Sequence, residues 1–442
     1  MSAKSFKGGI HPSYHKEMTA EISTVVADLP SQVIIPLQQH IGAPCDSLLE
    51  VGEEVKVGQK IADSEGFVSA PIHASISGKI ASIDMRYAPT GAKVKSMVIE
   101  SDGSDAIADS VAPPKKSLEE LTGKEIISLI REAGIVGMGG AAFPTHVKLS
   151  PPEGKTIDTV ILNGAECEPY LTADHRVMLE EPQKVIFGLK AIMKALNAPV
   201  GIIGIEKNKP DAIKIMQEAI KTEKNLSVFP LPTKYPQGAE KMLIEVITGR
   251  QVPSGGLPLD VGVVNQNVGT SAAVARAIQE GLPFTERIIT VTGSGVSKPT
   301  NIKVRIGTTF EEIIEQCGGF NNNAQKVIAG GPMMGIAQPG SNVPVVKGTS
   351  GILILTDEEV QLPEAGPCIR CARCVEACPV NIMPNFLGIM GEKRAFNEAE
   401  KYHALDCIEC GCCTYVCPAS RPLVQWIKAA KAEIVARQKK QG

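Results

Sequence analysis

Thr159-Val160-Ile161-Leu162-Asn163-Gly164-Ala165-Glu166-Cys167-Glu168-Pro169-Tyr170 is the stretch on which the fold turns. It reads as a strand, Thr159 to Leu162, that runs straight into a polar end. Polar groups at the carboxyl end of a strand are where open α/β sheets bind ligands. Asn163 can donate and accept hydrogen bonds, which suits the edge of a heterocycle. Glu166 and Glu168 can accept from ribose or amide donors. A solvated loop is the competing reading of the same residues.

Further α/β units follow. Asp174-His175-Arg176 leads into a helical segment around Val177–Leu179. Pro199–Ile205 reads as a second strand, with a helix near Ala212–Glu223. The segment Pro232-Thr233-Lys234-Tyr235-Pro236-Gln237-Gly238-Ala239-Glu240-Lys241 leads into an amphipathic helix, Met242–Thr248, that stops before Gly249-Arg250. Val261–Val264 reads as a strand ending at Asn265-Gln266-Asn267-Val268-Gly269-Thr270, again a polar strand end. Together these units describe a recurring α/β cleft.

Upstream, Thr122 and Glu125 have capping-box spacing before an apolar-periodic helix that stops at Gly134. Ser117 with Glu120 is a rival start. The next stretch is Gly134-Ile135-Val136-Gly137-Met138-Gly139-Gly140-Ala141-Ala142-Phe143-Pro144-Thr145-His146-Val147-Lys148. It has neither the GK[ST] of a phosphate-binding P-loop nor the spacing of a dinucleotide fingerprint. Glycines allow close backbone approach, and consecutive amides can form an anion nest. Pro144 suits the first turn of a helix whose N-terminus would favour a phosphate. A tight structural turn remains the alternative.

Before this region, Gln32–Leu37 opens a β-rich segment, and Val51–Ala62 and Ala70–Ile80 share a texture of short strands joined by glycine. The pair resembles the barrel-sandwich fold of lipoyl and biotinyl domains. Those domains carry their cofactor on a lysine at a hairpin tip, and the equivalent Phe67-Val68-Ser69-Ala70-Pro71 has none, so a structural or docking role is expected. His73 is expected to be packed. Residues 101–117 read as a Ser-, Asp- and Pro-rich linker. After the α/β region, strands at Ile288–Gly293 and Ile302–Ile306, a helix from Thr308 to Cys317 and a strand at Val327–Ala329 resemble the small β-grasp-like SLBB domain. Its paired glycines, Gly318-Gly319 and Gly330-Gly331, read as turns.

Nine of the twelve cysteines fall between Cys368 and Cys417. They spell Cys368, Cys371, Cys374, Cys378-Pro379 and then Cys407, Cys410, Cys413, Cys417-Pro418, two copies of the spacing of bacterial iron–sulfur ligation. Two [4Fe–4S] clusters are expected, and zinc is the rival metal. In this motif the fourth cysteine serves the other cluster. One cluster then takes Cys368, Cys371, Cys374 and Cys417, and the other Cys407, Cys410, Cys413 and Cys378. Cys412 is surplus and expected to point away; Cys45, Cys167 and Cys317 are not expected to bind iron. Twenty-eight residues separate Cys378 from Cys407, and Phe386–His403 has helical texture. After Pro422, apolar residues recur at helical spacing. Between Arg421 and Lys440 there are six basic residues and one acidic residue, Glu433. It reads as a helix packed on the cluster module, with a membrane surface or a partner as the alternative.

Composition narrows the field. At 442 residues, 43% hydrophobic, the chain is long enough for two to four domains. A net charge of −3 and 4% aromatics argue against a nucleic-acid binder. No apolar run is long enough to span a membrane, and MSAKSFKGG has no apolar signal core, so a cytoplasmic location is expected.

Across its length the sequence resembles the C subunit of the Rnf electron-transport complex, the ion-translocating ferredoxin:NAD oxidoreductase. The matching features, in order, are Phe6-Lys7-Gly8-Gly9-Ile10-His11-Pro12, the 134–148 loop and Cys167-Glu168-Pro169-Tyr170. They continue with Tyr235-Pro236-Gln237-Gly238, Thr248-Gly249-Arg250, Asn265-Gln266-Asn267 and both cysteine motifs. Residues 134–300 are also similar to the NADH-oxidising flavoprotein of respiratory complex I. The resemblance implies a multidomain α/β chain. It would comprise a barrel-sandwich-like domain (1–110), an FMN/NADH-binding α/β domain (118–285), an SLBB-like domain (286–355) and a helical dicluster ferredoxin-like module (360–442).

It also implies non-covalent FMN at Gly137, Gly139, Gly140, Lys148, Asn163, Glu166, Asn265 and Asn267. Phe143 and Glu168 would lie toward NAD(H), as would the 235–240 segment. Met138 stands where the complex I loop has arginine, and Lys148 is a candidate to supply the missing cation. The implied role is electron exchange between NAD(H), FMN and two [4Fe–4S] clusters, coupled through other subunits to Na+ or H+ translocation. The implied setting is the cytoplasmic face of the membrane, beside an iron–sulfur, ferredoxin-interacting partner. Two alternatives stay open: a cobalamin-reductase-like flavoprotein of a microcompartment, and a non-enzymatic iron–sulfur conduit.

Overall fold

The computed structural model describes residues 5–361 and 363–441; Met1–Lys4, Leu362 and Gly442, and with them part of the N-terminal reading, lie outside the described residues. The N-terminal β region is two small antiparallel sheets. One has the order Gln32–Pro36, Lys93–Ser101, Gly78–Tyr87, Glu54–Val55; the other runs Asp46–Ser47, Lys60–Asp63, Ile72–His73. Alternate residues point inward and build one core from Val33, Ile35, Ile61, Ile72, Ile80, Met97 and Ile99. His73 is buried, as expected. The expected linker is partly structured: Ala108 donates its N–H to the Val57 carbonyl at 2.9 Å, and the Val111 side chain lies over Gly58.

In the central region Thr122 and Glu125 form the expected capping box on the helix Gly123–Glu132, which ends before Gly134 at φ +65°. Ser117 and Glu120 make only a turn, in which the Glu120 carboxylate accepts the Ser117 N–H. A four-stranded parallel sheet follows, ordered Leu226–Leu231, Val200–Glu206, Thr159–Gly164, Val263–Asn267. The opening stretch is thus an interior strand. Two boundaries differ from expectation. The helix after the second strand is Pro210–Ala219, started by Pro210 in its first turn. The last strand is Val263–Asn267, so its three amides lie within it, with Asn267 level with Asn163.

A six-stranded mixed sheet comes next, ordered Val25–Val26, Thr300–Arg305, Glu286–Thr292, Gly351–Thr356, Ala324–Ala329, Ile336–Ala337. The helix Phe310–Gln316 packs on it through Phe310, Ile313 and Ile314. The C-terminal module is helical. Pro384–Glu392, Phe396–Lys401 and Leu423–Gln441 bury Leu387, Ala399, Ile427, Ala430 and Ile434 together. The basic tail helix is therefore packed on the cysteine module, and Lys431 donates to the Cys407 carbonyl at 2.6 Å. Among the described residues no helix is long and apolar enough to cross a membrane.

Candidate functional site

The polar end of Thr159–Gly164 is held by charges that the sequence did not mark. Lys209, almost wholly buried, donates to the Ala165 carbonyl at 2.6 Å. Lys16 donates to the carbonyls of Glu168 (3.1 Å) and Leu171. Burial pushes the Lys16 ammonium down to about 8, with the nearby Glu166 opposing. These tethers hold a loop in which Glu166 (φ +44°) and Tyr170 (φ +69°) adopt the left-handed region, which costs a non-glycine residue about 1–2 kcal/mol. Asn163 donates to the Gly238 carbonyl at 2.8 Å, and Gly238 donates its N–H to the Cys167 sulfur at 3.2 Å.

The two glutamates are spent on backbone. Glu166 accepts the N–H groups of Asp174 (2.7 Å) and His175 (3.3 Å), at the start of the helix Ala173–Glu180. Burial, with the Glu166 charge second, raises the Asp174 carboxyl. That carboxyl accepts from the Asn267 amide at 2.6 Å, while Asn267 Oδ1 caps the helix Val268–Gln279 through the N–H of Gly269 at 2.7 Å. Glu168 accepts the N–H groups of Met333 (2.6 Å) and Met334 (3.0 Å). Both side chains thus accept from protein amides, Glu166 through both carboxylate oxygens and Glu168 through Oε1.

The glycine loop closes as a hairpin. Val136 bridges Pro144, and the Gly137 N–H donates to the Phe143 carbonyl at 2.8 Å. Phe143 is half-buried. Met138 donates its N–H to Thr270 Oγ1 at 2.9 Å, so the loop lies over the start of Val268–Gln279. Gly139 has φ +76°, and a Cβ there would stand 3.1 Å from Asn267 Nδ2; at Gly140 a Cβ would meet nothing within 4 Å. The helix begun at Pro144 is a single turn, Thr145–Lys148. Lys148 donates to Glu240 Oε1 at 2.8 Å and to the Asn265 carbonyl at 3.1 Å, so the cation expected to offset Met138 is already paired. At the loop's base Lys347 is buried and donates to the Pro71 and Gly134 carbonyls, both at 2.6 Å.

The predicted residues therefore fall into three linked groups: Gly139 with Asn267, Asp174 and Glu166; Asn163 with Gly238; and Lys148 with Asn265 and Glu240. Glu168 belongs to a fourth contact, with the 330–335 turn. Several buried polar atoms on these segments have no protein partner among the described residues: both amide atoms of Gln237, Asn265 Oδ1, Gln266 Nε2 and Thr145 Oγ1. Buried polar groups are ordinarily satisfied, and this mixture of donors and acceptors fits the edge of a heterocyclic cofactor such as a flavin.

The eight motif cysteines lie on two loops of like shape. Arg370, Ala372 and Asn381 have positive φ in the first, and Glu409, Gly411 and Ser420 in the second, each pair thirty-nine positions apart. Cys368, Cys371, Cys374 and Cys417 line one recess, so the fourth thiol of the second motif stands beside the three of the first loop. In the other set burial, followed by the neighbouring thiols Cys407, Cys410 and Cys378, pushes Cys413 up to about 12. Four thiols around each of two spaces fit iron–sulfur ligation. Cys412, the surplus thiol, lies in the protein interior. It is fully buried and packs with Ile10, Cys167, Tyr235, Ala377 and Cys410. Tyr235 closes this cluster by donating its phenol to the Cys410 carbonyl at 2.8 Å.

Comparison with known proteins matches four successive stretches of the chain. Family models match as RnfC barrel sandwich hybrid domain (residues 4–104), Nuo51 FMN-binding domain (130–276), SLBB domain (288–337) and 4Fe-4S dicluster domain (367–420). The C subunit of the proton-translocating ferredoxin:NAD(+) oxidoreductase complex of Clostridium ljungdahlii is 52% identical over 431 residues, covering 97% of this chain and 94% of that one. Its Na(+)-translocating counterpart from Acetobacterium woodii is 49% identical over 436 residues, covering 99% and 98%. The C subunit of the ion-translocating oxidoreductase complex of Rhodobacter capsulatus is 41% identical over 437 residues, covering 98% and 84%. Among solved structures, an air-oxidized NAD+-reducing [NiFe]-hydrogenase aligns with TM-score 0.50 and 18% identity over 71% of this chain and 63% of that one, a likeness of fold alone.

Proposed function

The chain belongs to the family of C subunits of ion-translocating ferredoxin:NAD(+) oxidoreductase complexes, and from that membership we propose that it is the component of such a complex in which NAD(H), FMN and two [4Fe–4S] clusters exchange electrons. Its partners are the other subunits of the complex, an iron–sulfur, ferredoxin-interacting one among them. It takes part in ion translocation through those partners. Without a helix able to cross a membrane among the described residues, it would be held there peripherally, on the cytoplasmic face.

FMN, when bound, accepts a hydride and releases electrons singly, which suits it to stand between a nicotinamide and one-electron centres. The chain's own residues prepare that place. Gly137, Gly139 and Gly140 let the loop backbone approach closely. Asn163, Asn265 and Asn267 present or brace amides, with Glu166 fixing Asp174 and through it Asn267. Lys148 orders Asn265 and Glu240, and Phe143 and the 235–240 segment border the side where a nicotinamide would stack. Glu168 acts at one remove, by fixing the loop. The carrying observation is the set of unpartnered polar atoms on Gln237, Asn265, Gln266 and Thr145, joined by Tyr235 to the cysteine module.

The test is a visible spectrum of the anaerobically purified chain, with acid-extracted flavin and iron counted. The expected result is flavin absorbance that bleaches with NADH, and iron near eight per chain. A cluster spectrum without flavin would replace this reading with that of a conduit.

A further inference from the structure

The turn Phe67–Pro71 lies where a lipoyl or biotinyl domain would hold its lysine out to solvent, and here it is packed against the glycine loop. Ser69, Ala70 and Pro71 are buried. Ala70 belongs to the core that also holds Ile130, Ile135, Val136 and Ala142 of the α/β domain. One end of the turn meets the first residue of the loop. Gly134, at φ +65°, lies so close that a Cβ there would stand 2.2 Å from the Pro71 carbonyl oxygen, and Lys347 bridges the Pro71 and Gly134 carbonyls. The other end meets the last turn of the loop. The Phe67 carbonyl contacts His146 Nε2 at 3.1 Å. A carbonyl only accepts, so His146 carries its proton on that nitrogen. The Phe67 ring stands edge-on to the His146 ring, with centroids 6.0 Å apart. One turn thus grips both feet of the loop. The segment Phe6–Ile10 is fastened elsewhere: Gly9 donates to the Ala377 carbonyl at 2.9 Å, and Ile10 pairs with Tyr235.

The turn is itself stiff. Ala70 donates its N–H to His40 Nε2 at 3.0 Å, Ala43 donates to the Val68 carbonyl at 3.0 Å, and Ser69 Oγ donates to the Ala43 carbonyl at 3.1 Å. Gly42, at φ +113°, lets the two backbones meet, since a Cβ there would stand 2.0 Å from the Val68 carbonyl oxygen. The glycine loop has less stiffness of its own. Glycines lose more conformational freedom on ordering than any other residue. A loop left free would lose that entropy on binding its ligand, and a loop already held would not.

We propose that the turn Phe67–Pro71 is a positioning element of the flavin site. It clamps both feet of the glycine loop, fixes Gly137–Gly140 in the shape that receives the flavin, and so sets how tightly the flavin is held. His146 is the positioning residue at one foot and Lys347 at the other. The turn bears no cofactor itself; it holds the cofactor site of the neighbouring domain. This inference rests on the reading of the site given above.

The test uses the full chain, anaerobic, as wild type, His146→Leu and His146→Gln. Leucine removes the donor to Phe67, whereas the glutamine amide can reach the same carbonyl. Two readings are taken. One is the rate at which FMN leaves on dilution, followed by its fluorescence. The other is hydrogen exchange in residues 135–145, where the Gly137 and Thr145 amides bond within the loop. In the leucine variant both rates are expected to rise about tenfold, and in the glutamine variant to stay within about threefold of wild type, with iron per chain unchanged in both. A leucine variant unchanged in either reading overturns the proposal, as does a glutamine variant as loose as the leucine one. A wild type that holds no FMN overturns the functional reading instead, and hydrogen exchange, which needs no flavin, still decides the clamp. Should His146→Leu fail to fold, Phe67→Gly frees the turn at a side chain that is 63% exposed. Exchange is then expected to rise more in residues 135–145 than in the helix Gly123–Glu132, and an equal change in both overturns the clamp.

Discussion

Glu168 Oε1 accepts the backbone N–H of Met333 at 2.6 Å, and through that bond a strand end of the α/β sheet fixes a turn of the SLBB domain. Met334 donates to the same oxygen. Glu168→Ala leaves two turn amides without their acceptor, a loss of roughly 2–3 kcal/mol. Glu168→Gln keeps a carbonyl oxygen in place and should cost less. Thermal unfolding of the holoprotein checks this ranking. NADH affinity in the Gln variant should stay near wild type, and a large loss at unchanged Tm would return Glu168 to the nicotinamide.

Gly139 sits in left-handed backbone against the Asn267 amide, while Gly140 has open space around its Cβ position. Gly139→Val adds strain and crowds Asn267, so the purified variant should lose most of its flavin. Gly140→Ala should retain it more fully. Extracted flavin per chain is the measurement, and equal retention in both variants would contradict the loop's role.

Cys368 and Cys407 belong to different sets, and each set supplies four thiols. Alanine at either position should lower iron from about eight toward about four per chain, one cluster's content. Iron assay on anaerobic protein checks it. Alanine at Cys45 or Cys317, both far from the motifs in sequence and buried elsewhere, should leave iron unchanged.

Lys347 titrates against its burial, which pushes its ammonium down to about 7. Between that value and the ordinary lysine range near 10.4 the unfolded chain holds a proton that the folded chain has released, so stability rises with pH across this window. The contribution amounts to about 2 kcal/mol from pH 7 to pH 9. Lys347→Met should be less stable at every pH, having lost its bonds to Pro71 and Gly134, and should show a flatter rise. Tm measured at pH 7, 8 and 9 on both proteins separates the two effects.

What is legible in the sequence is local. The capping box at Thr122 and Glu125, the strand at Thr159 and the cysteine spacings depend on neighbours a few residues away, and they stand where expected. The strand Val263–Asn267 reads short in sequence because Asn and Gln disfavour strands, and pairing with Thr159–Asn163 overrides that preference. The partners of Glu168, Lys16, Lys148 and Tyr235 come from distant parts of the chain, and no periodicity announces such pairs. Glycines at 8 and 9 are a faint signal, since a close backbone approach is one reason for two in succession.

The strap formed by Phe6–Ile10 ties the beginning of the chain to the cysteine module near its end. During synthesis this segment can meet Lys234 and Tyr235 first, and its contacts with Ala377 and Cys378 wait until that loop has left the ribosome. Completion of the strap is therefore a late event that follows synthesis of the first cysteine loop. A chain whose first cysteine loop stayed open would keep this segment fastened on the α/β domain alone, at Lys234 and Tyr235.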